Sequence, residues 1–166
     1  MKEFEYEAAI VETEVGDNKS YSTLYVVVDI SSDQLPGESQ LRMEIAFLPQ
    51  AEENQSDHAI LQAMVPILLA DENVNKGELF GLIVKLNTYL PMGSFGYWEE
   101  QNMVYHKQNN MVPSKENIEV FAAVEKQLAM IQYLLTSFVP SLAAVAVDND
   151  SMDNALKSNP FAKAFL

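Results

Sequence analysis

Residues 75–106 read NKGELFGLIVKLNTYLPMGSFGYWEEQNMVYH, and they decide the fold because a helical period gives way within them to a strand period. Five apolar residues recur every three or four positions: Leu79, Leu82, Ile83, Leu86 and Leu90. That spacing predicts a helix that lays one apolar stripe on a sheet. Pro91 and Gly93 end the helix, and residues 95–106 then predict a strand, a turn and a second strand.

Three further strands are predicted ahead of this helix. Residues 21–30 are dense in β-branched and aromatic side chains, and residues 41–47 alternate apolar with polar ones, as a strand with one wet face does. The apolar run over 60–69 is interrupted by Pro66, which predicts a third strand ending near that proline. Residues 4–15 fit a strand and a helical stripe equally well, so their type stays open.

Caps and prolines set the predicted helix boundaries. Asn75 and Glu78 have the spacing of a capping box, and Ser114 stands where it would cap a long last helix. Pro140 inside that helix predicts a kink or an end near Val139, because proline removes one backbone donor, although Leu142 and Val145 continue the spacing beyond it. The apolar residues that define the long helix are Ile118, Phe121, Val124, Leu128, Ile131, Leu135 and Phe138.

The chain is predicted to form one domain over 1–147, followed by an acidic tail over 148–166. Beyond Asp148 the sequence carries little to bury, which is typical of a mobile segment. The terminal Phe161, Phe165 and Leu166 indicate the opposite, since large exposed apolar groups favour docking on a surface, either within the chain or on another molecule.

Composition excludes several classes of function. The 166 residues include no cysteine, and 24 acids against 10 bases give a net charge of −14. That sign opposes binding to nucleic acid or to an anionic membrane. The start of the sequence lacks the pattern of a secretory signal, and the most apolar stretch, 134–147, is shorter than the roughly 20 residues of a membrane span. We therefore expect a cytoplasmic protein, with most of its acidity in residues 1–80.

No residue pattern indicates catalysis, a cofactor or a metal. His58 and His106 are the only histidines, neither lies in a nucleophile motif, and a surface or hairpin position is expected for both. The adjacent acids Glu52-Glu53 and Glu99-Glu100 are expected in water, where neighbouring turn residues point. The acids after Asp148 lack the glycine and the last glutamate of a calcium loop. We predict a protein that is not an enzyme.

Three stretches carry a resemblance to a known family: residues 86–96 (LNTYLPMGSFG), 42–49 (RMEIAFLP) and 61–67 (LQAMVPI). Together with the order of three strands, helix, hairpin and long helix, they resemble the YbjN-type bacterial sensory-transduction regulators, which are related to type III secretion chaperones. The resemblance spans roughly residues 21–147. It implies an α+β fold of the type III secretion chaperone class, in which helices pack on one face of an antiparallel sheet.

Small, acidic, cytoplasmic homodimers without enzymatic activity are what this resemblance implies. Secretion chaperones hold an extended segment of a partner, so the first hypothesis is a protein-binding domain whose sheet edge or apolar grooves hold an extended or amphipathic segment. The alternative is a sensory module whose small ligand enters between sheet and helix. A third hypothesis, an enzyme, would need a site assembled from Glu99, Tyr105 and His106. Four residues of the long helix flank its main stripe and are candidates either for a dimer interface or for burial in the core of the chain itself: Val120, Met130, Tyr133 and Leu134.

Overall fold

The computed structural model describes residues 7–15, 19–29, 40–48, 58–113 and 118–162. Four strands come first: β1 (Ala8–Val15), β2 (Lys19–Asp29), β3 (Gln40–Phe47) and β4 (His58–Leu69). Helix α1 (Lys76–Tyr89) follows, then β5 (Ser94–Trp98), a short 3₁₀ turn (Glu99–Gln101) and β6 (Met103–Pro113). Two helices complete the described part of the chain, α2 (Ile118–Ala146) and α3 (Met152–Ser158).

The six strands form one antiparallel sheet in the order β1-β2-β3-β4-β6-β5. The predicted α+β class is therefore confirmed. Residues 4–15, whose type the sequence left open, supply the edge strand β1 over Ala8–Val15, and residues 4–6 lie outside the described part. Pro66 does not end β4 as predicted. The strand passes through it to Leu69, and the register shifts between Pro66 and Leu68, an irregularity where a residue without an N–H is tolerated.

One face of the sheet carries the core. Its buried strand residues alternate with wetter ones, and the helices supply the opposing apolar side chains. Phe95 on β5 packs edge-to-face on Phe138 of α2, with ring centroids 6.3 Å apart. The buried strand residues on this inner face include Val26, Met43, Ile45, Leu61, Ala63, Val65, Val104 and Val112.

Helix α1 begins as the sequence predicts, with one difference. The Asn75 side chain accepts hydrogen bonds from the backbone N–H groups of Gly77 and Glu78, at 3.1 and 3.3 Å. Glu78 does not return to Asn75 as a capping box requires. Its Oε2 accepts from the backbone N–H of Met152 at 2.8 Å, so it serves the first turn of α3 instead. The contact ties the two helices together.

Helix α2 does not end near Val139, which was one of the two outcomes predicted for Pro140, but continues to Ala146. Asn159, which follows α3, donates from Nδ2 to the carbonyl oxygen of Ser137 at 2.7 Å and to Ser141 Oγ at 2.8 Å. These contacts fasten the residue after α3 to α2 beside Pro140, although the carbonyl that the proline leaves without a helical donor is that of Thr136. The predicted cap at Ser114 lies outside the described residues.

Residues 148–162 lie against the helices through a small buried patch. Ala155, Leu156, Asn159 and Ala162 are buried, and Phe161 packs edge-to-face on Tyr133 of α2 at 5.9 Å. Ser151 caps α3 by accepting from the N–H of Asn154. The terminal Phe165 and Leu166 lie outside the described residues.

Candidate functional site: the open sheet edge at β1

The two edges of the sheet differ in how they are covered. At one edge β5 is short, and the Asn87 amide on α1 bonds it twice, donating to Phe95 O at 2.9 Å and accepting from Phe95 N at 2.8 Å. The amide thereby takes the place of a neighbouring strand. Such cover is one of the ways in which proteins protect an edge from further pairing.

At the other edge, β1 is longer and has a pairing partner on one side only within the described residues. The Val27 N–H donates to the Glu7 carbonyl at 2.8 Å, so the polar backbone groups of Glu7 point toward β2. Along an antiparallel strand, the backbone N–H and C=O groups of successive residues point alternately to the two sides of the strand. The N–H and C=O groups of Ala8, Ile10 and Glu12 therefore point away from the sheet, where an added strand would meet them.

Apolar side chains flank this open edge on both faces. Ile10 lies on the helix side of the sheet and is 71% exposed, while Val11 lies on the opposite side and is 44% exposed. Across the sheet from Ile10, the paired residues pass from the half-buried Leu24 to the buried Ile45, Ala63 and Gln108. The helical cover thus runs out before it reaches β1, and Phe47 on β3 is left 54% exposed at the same end.

The same edge is acidic. Residues 7–15 contain three glutamates and no lysine or arginine. The Glu7 and Glu12 side chains are exposed, on opposite faces of β1. Arg42 on β3 is held by neighbours other than the β1 glutamates. Its guanidinium lies 3.8 Å from the Tyr25 ring centroid and 3.9 Å from the Glu44 carboxylate. The β1 edge therefore presents negative charge beside apolar groups.

The residues of the third hypothesis, the scattered enzyme site, are not brought together. Tyr105 and His106 are neighbours in β6 and so point to opposite faces, and only His106 enters the core. Tyr105 lies against Gly96 on the sheet face opposite the described helices, where it adjoins a shallow depression of about 370 Å³. The other residues lining that depression are Met64, Tyr97, Trp98, Glu99, Glu100 and Lys107.

Glu99 and Glu100 are exposed, as predicted. Lys76 Nζ donates to Glu99 Oε1 at 2.7 Å, and this hydrogen bond lowers the pKa of Glu99 and raises that of Lys76. Glu52-Glu53 lies outside the described residues. Within the described ranges no group of three or more acids or histidines is placed to hold a metal ion.

His106 lies in the second strand of the β5–β6 hairpin, one of the two positions expected for it, but its full burial there was not predicted. Neither of its ring nitrogens has a hydrogen-bond partner, and burial lowers its pKa to about 4. Gln108, two residues on, is also buried; its Nε2 reaches Met92 Sδ at 3.4 Å and its Oε1 has no partner. The alternation of side chains along β6 indicates this burial, since His106 and Gln108 lie on the same face as Val104 and Val112.

One described helix, over 122–146, is long and apolar enough by length and composition to cross a membrane. Most of its apolar window is buried inside the fold, as in the core helix of a soluble protein.

No protein-family model, curated protein or solved structure matches this chain.

Proposed function

We propose that this chain is a non-catalytic protein-binding domain, chaperone-like or regulatory, that holds an extended segment of a partner protein as an added strand on β1. The observation that supports it most is the difference between the two sheet edges. Asn87 covers β5 with two hydrogen bonds, whereas no described strand or side chain covers β1. Strand addition to an open edge is an established mode of peptide recognition.

The energetics of the edge agree with this proposal. An added strand would bond the outward groups of Ala8, Ile10 and Glu12, each bond adding about 0.5–1.5 kcal/mol net. It would also shield the exposed side chains of Ile10 and Val11 from water. Burial of Ile10 and Val11 on the two faces would supply affinity, and the backbone hydrogen bonds would align the added strand with β1. Neither contribution requires a catalytic group at this edge.

A non-catalytic role is supported by where the candidate acid–base groups lie. His106 is enclosed in the core, away from Glu99, and Glu99 is engaged with Lys76 at the surface. A cytoplasmic site of action belongs to the same proposal, and fractionation of the native cell tests it.

Two variants at one position test the proposed function. Ile10→Pro places a ring where an outward N–H stood, and it removes no hydrogen bond to β2. Ile10→Thr keeps that N–H and shortens the side chain. Tagged forms of both variants and the wild type would be used for affinity capture in the native cell, with the captured proteins identified.

We expect a specific protein to be captured by the wild type, weakly by Ile10→Thr and not by Ile10→Pro. A peptide from that protein should then slow exchange of the Ala8, Ile10 and Glu12 amides. Capture that is equal for the wild type and Ile10→Pro would contradict the proposal, provided both have the same circular dichroism and thermal midpoint.

A second candidate function is a small-ligand-responsive module, and the buried polar pair His106 and Gln108 favours it. Their three unpartnered atoms lie beneath the exposed turn at Met92 and Gly93, and a polar ligand or ordered water would satisfy them. Saturable thermal stabilisation by a small molecule, unchanged in Ile10→Pro and lost in His106→Leu, would support this function over strand addition.

A further inference from the structure

We infer that the segment held at β1 is an antiparallel strand with the pattern basic-apolar-apolar-x-x-basic. This inference rests on the proposed function and adds the chemistry of the partner. It follows from the register and exposure of the six residues from Glu7 to Glu12.

The pattern is obtained by pairing each exposed residue with its complement. An antiparallel strand would be read from its N-terminal end opposite Glu12, then Val11, Ile10, Ala9, Ala8 and Glu7. Directly opposed residues have Cβ atoms about 4.5–5.5 Å apart, close enough for opposite charges or apolar groups to interact. A basic residue therefore fits opposite Glu12 and Glu7, and apolar residues fit opposite Val11 and Ile10.

The antiparallel direction follows the rest of the sheet, in which each pair of neighbouring strands is antiparallel. Antiparallel pairing is also slightly more stable per residue than parallel pairing. The two basic residues of the segment would lie on opposite faces of the extended sheet, since Glu7 and Glu12 differ by an odd number of positions.

Charge argues against a second copy of the chain as the occupant. Residues 7–15 carry three glutamates and no basic residue, and the whole chain has a net charge of −14. Self-pairing of β1 would bring two such stretches together, and like charges across an interface are unfavourable. A basic segment from another protein meets the same edge with complementary charge.

The probes for this inference are three blocked peptides, KVITTK, EVITTE and the composition-matched shuffle KTTVIK. Each would be titrated into the full chain by calorimetry at low and high salt. The test adds two variants, Ile10→Pro and the charge-reversed double variant Glu7→Lys with Glu12→Lys.

We expect KVITTK to bind the wild type about tenfold or more tightly than EVITTE, because two exposed ion pairs are replaced by two repulsions. Higher salt should narrow the difference. KTTVIK keeps the charges but moves the apolar pair from Ile10 and Val11, and it should bind several-fold more weakly than KVITTK. The charge-reversed variant should prefer EVITTE.

The outcomes separate the inference from the proposed function. Binding of all three peptides with equal affinity, lost in Ile10→Pro, would overturn the charge pattern and leave strand addition standing. No binding of any peptide would overturn both. Outward amides of β1 already protected in a peptide-free dimer would show a second copy at the edge, and would also overturn the inference.

Discussion

Acidification should destabilise this protein through His106, and the size of the effect follows from its burial. The pKa of His106 is lowered to about 4 because the charged ring would have to be desolvated. In the unfolded chain the pKa returns to about 6.5. Between pH 6.5 and pH 4 the unfolded state binds a proton at His106 and the folded state does not. The contribution of His106 to the free energy of unfolding is therefore constant above about pH 6.5 and falls as the pH drops toward 4.

The magnitude is large for a single residue. Lowering the pH from 6.5 to 4 reduces the free energy of unfolding by about 3 kcal/mol, at about 1.36 kcal/mol per pH unit. Lowering it from 7 to 5 reduces the free energy of unfolding by about 2 kcal/mol. No solvent screening reduces it, because His106 is 0% exposed. Such a loss is a sizeable fraction of the 5–15 kcal/mol that stabilises a typical domain.

The assay is urea denaturation at pH 7, 6 and 5, followed by the fluorescence of Trp98, the single tryptophan. Carboxyl groups elsewhere in the chain also contribute to the loss of stability toward pH 5. The measured quantity is therefore the free energy of unfolding of His106→Leu minus that of the wild type. We expect this difference to grow by about 2 kcal/mol from pH 7 to pH 5. Parallel stability curves for the wild type and His106→Leu over this range would refute the reasoning.

Three further predictions concern edges and interfaces. Asn87→Ala should lower the free energy of unfolding by about 1–3 kcal/mol, because two backbone groups of Phe95 lose their hydrogen-bond partners. Urea denaturation measures this loss, with Thr88→Ala as a control on the same helix. Asn159→Ala should cost about 2–3 kcal/mol and speed amide exchange in α3, since the contacts to Ser137 and Ser141 are lost; unchanged exchange there would contradict the assigned role. The homodimer implied by the family resemblance should appear in light scattering, and Tyr133→Glu on α2 should weaken it, whereas a monomer at every concentration would exclude it.

The helix–hairpin–helix half was predicted from sequence because its signals are local. The apolar stripe of α1, its cap at Asn75 and the stop at Pro91 depend on neighbours within a few turns, and each stands as predicted. The two prolines were less informative, because neither ends its element. Pro66 sits at a register irregularity opposite β6, which depends on pairing with a strand distant in sequence, and α2 continues through Pro140 to Ala146.

The candidate site was less accessible to sequence reasoning. Residues 4–15 satisfy both periods, so only pairing with β2 establishes β1 and the direction of its backbone groups. Asn87 carries no sequence signal for its role, because covering β5 depends on how α1 lies beside that strand. His106 could have been placed in the core from strand parity alone, since Val104 and Val112 mark the buried face.

Amide hydrogen exchange along β1 tests the central claim most directly. In the free protein we expect fast exchange at Ala8, Ile10 and Glu12, and slower exchange at Ala9 and Val11, whose N–H groups point toward β2. Saturation with KVITTK should slow the three fast amides and leave the other two nearly unchanged. Uniform exchange along β1, or slowing that is absent or not alternate on addition of the peptide, would contradict strand addition at this edge.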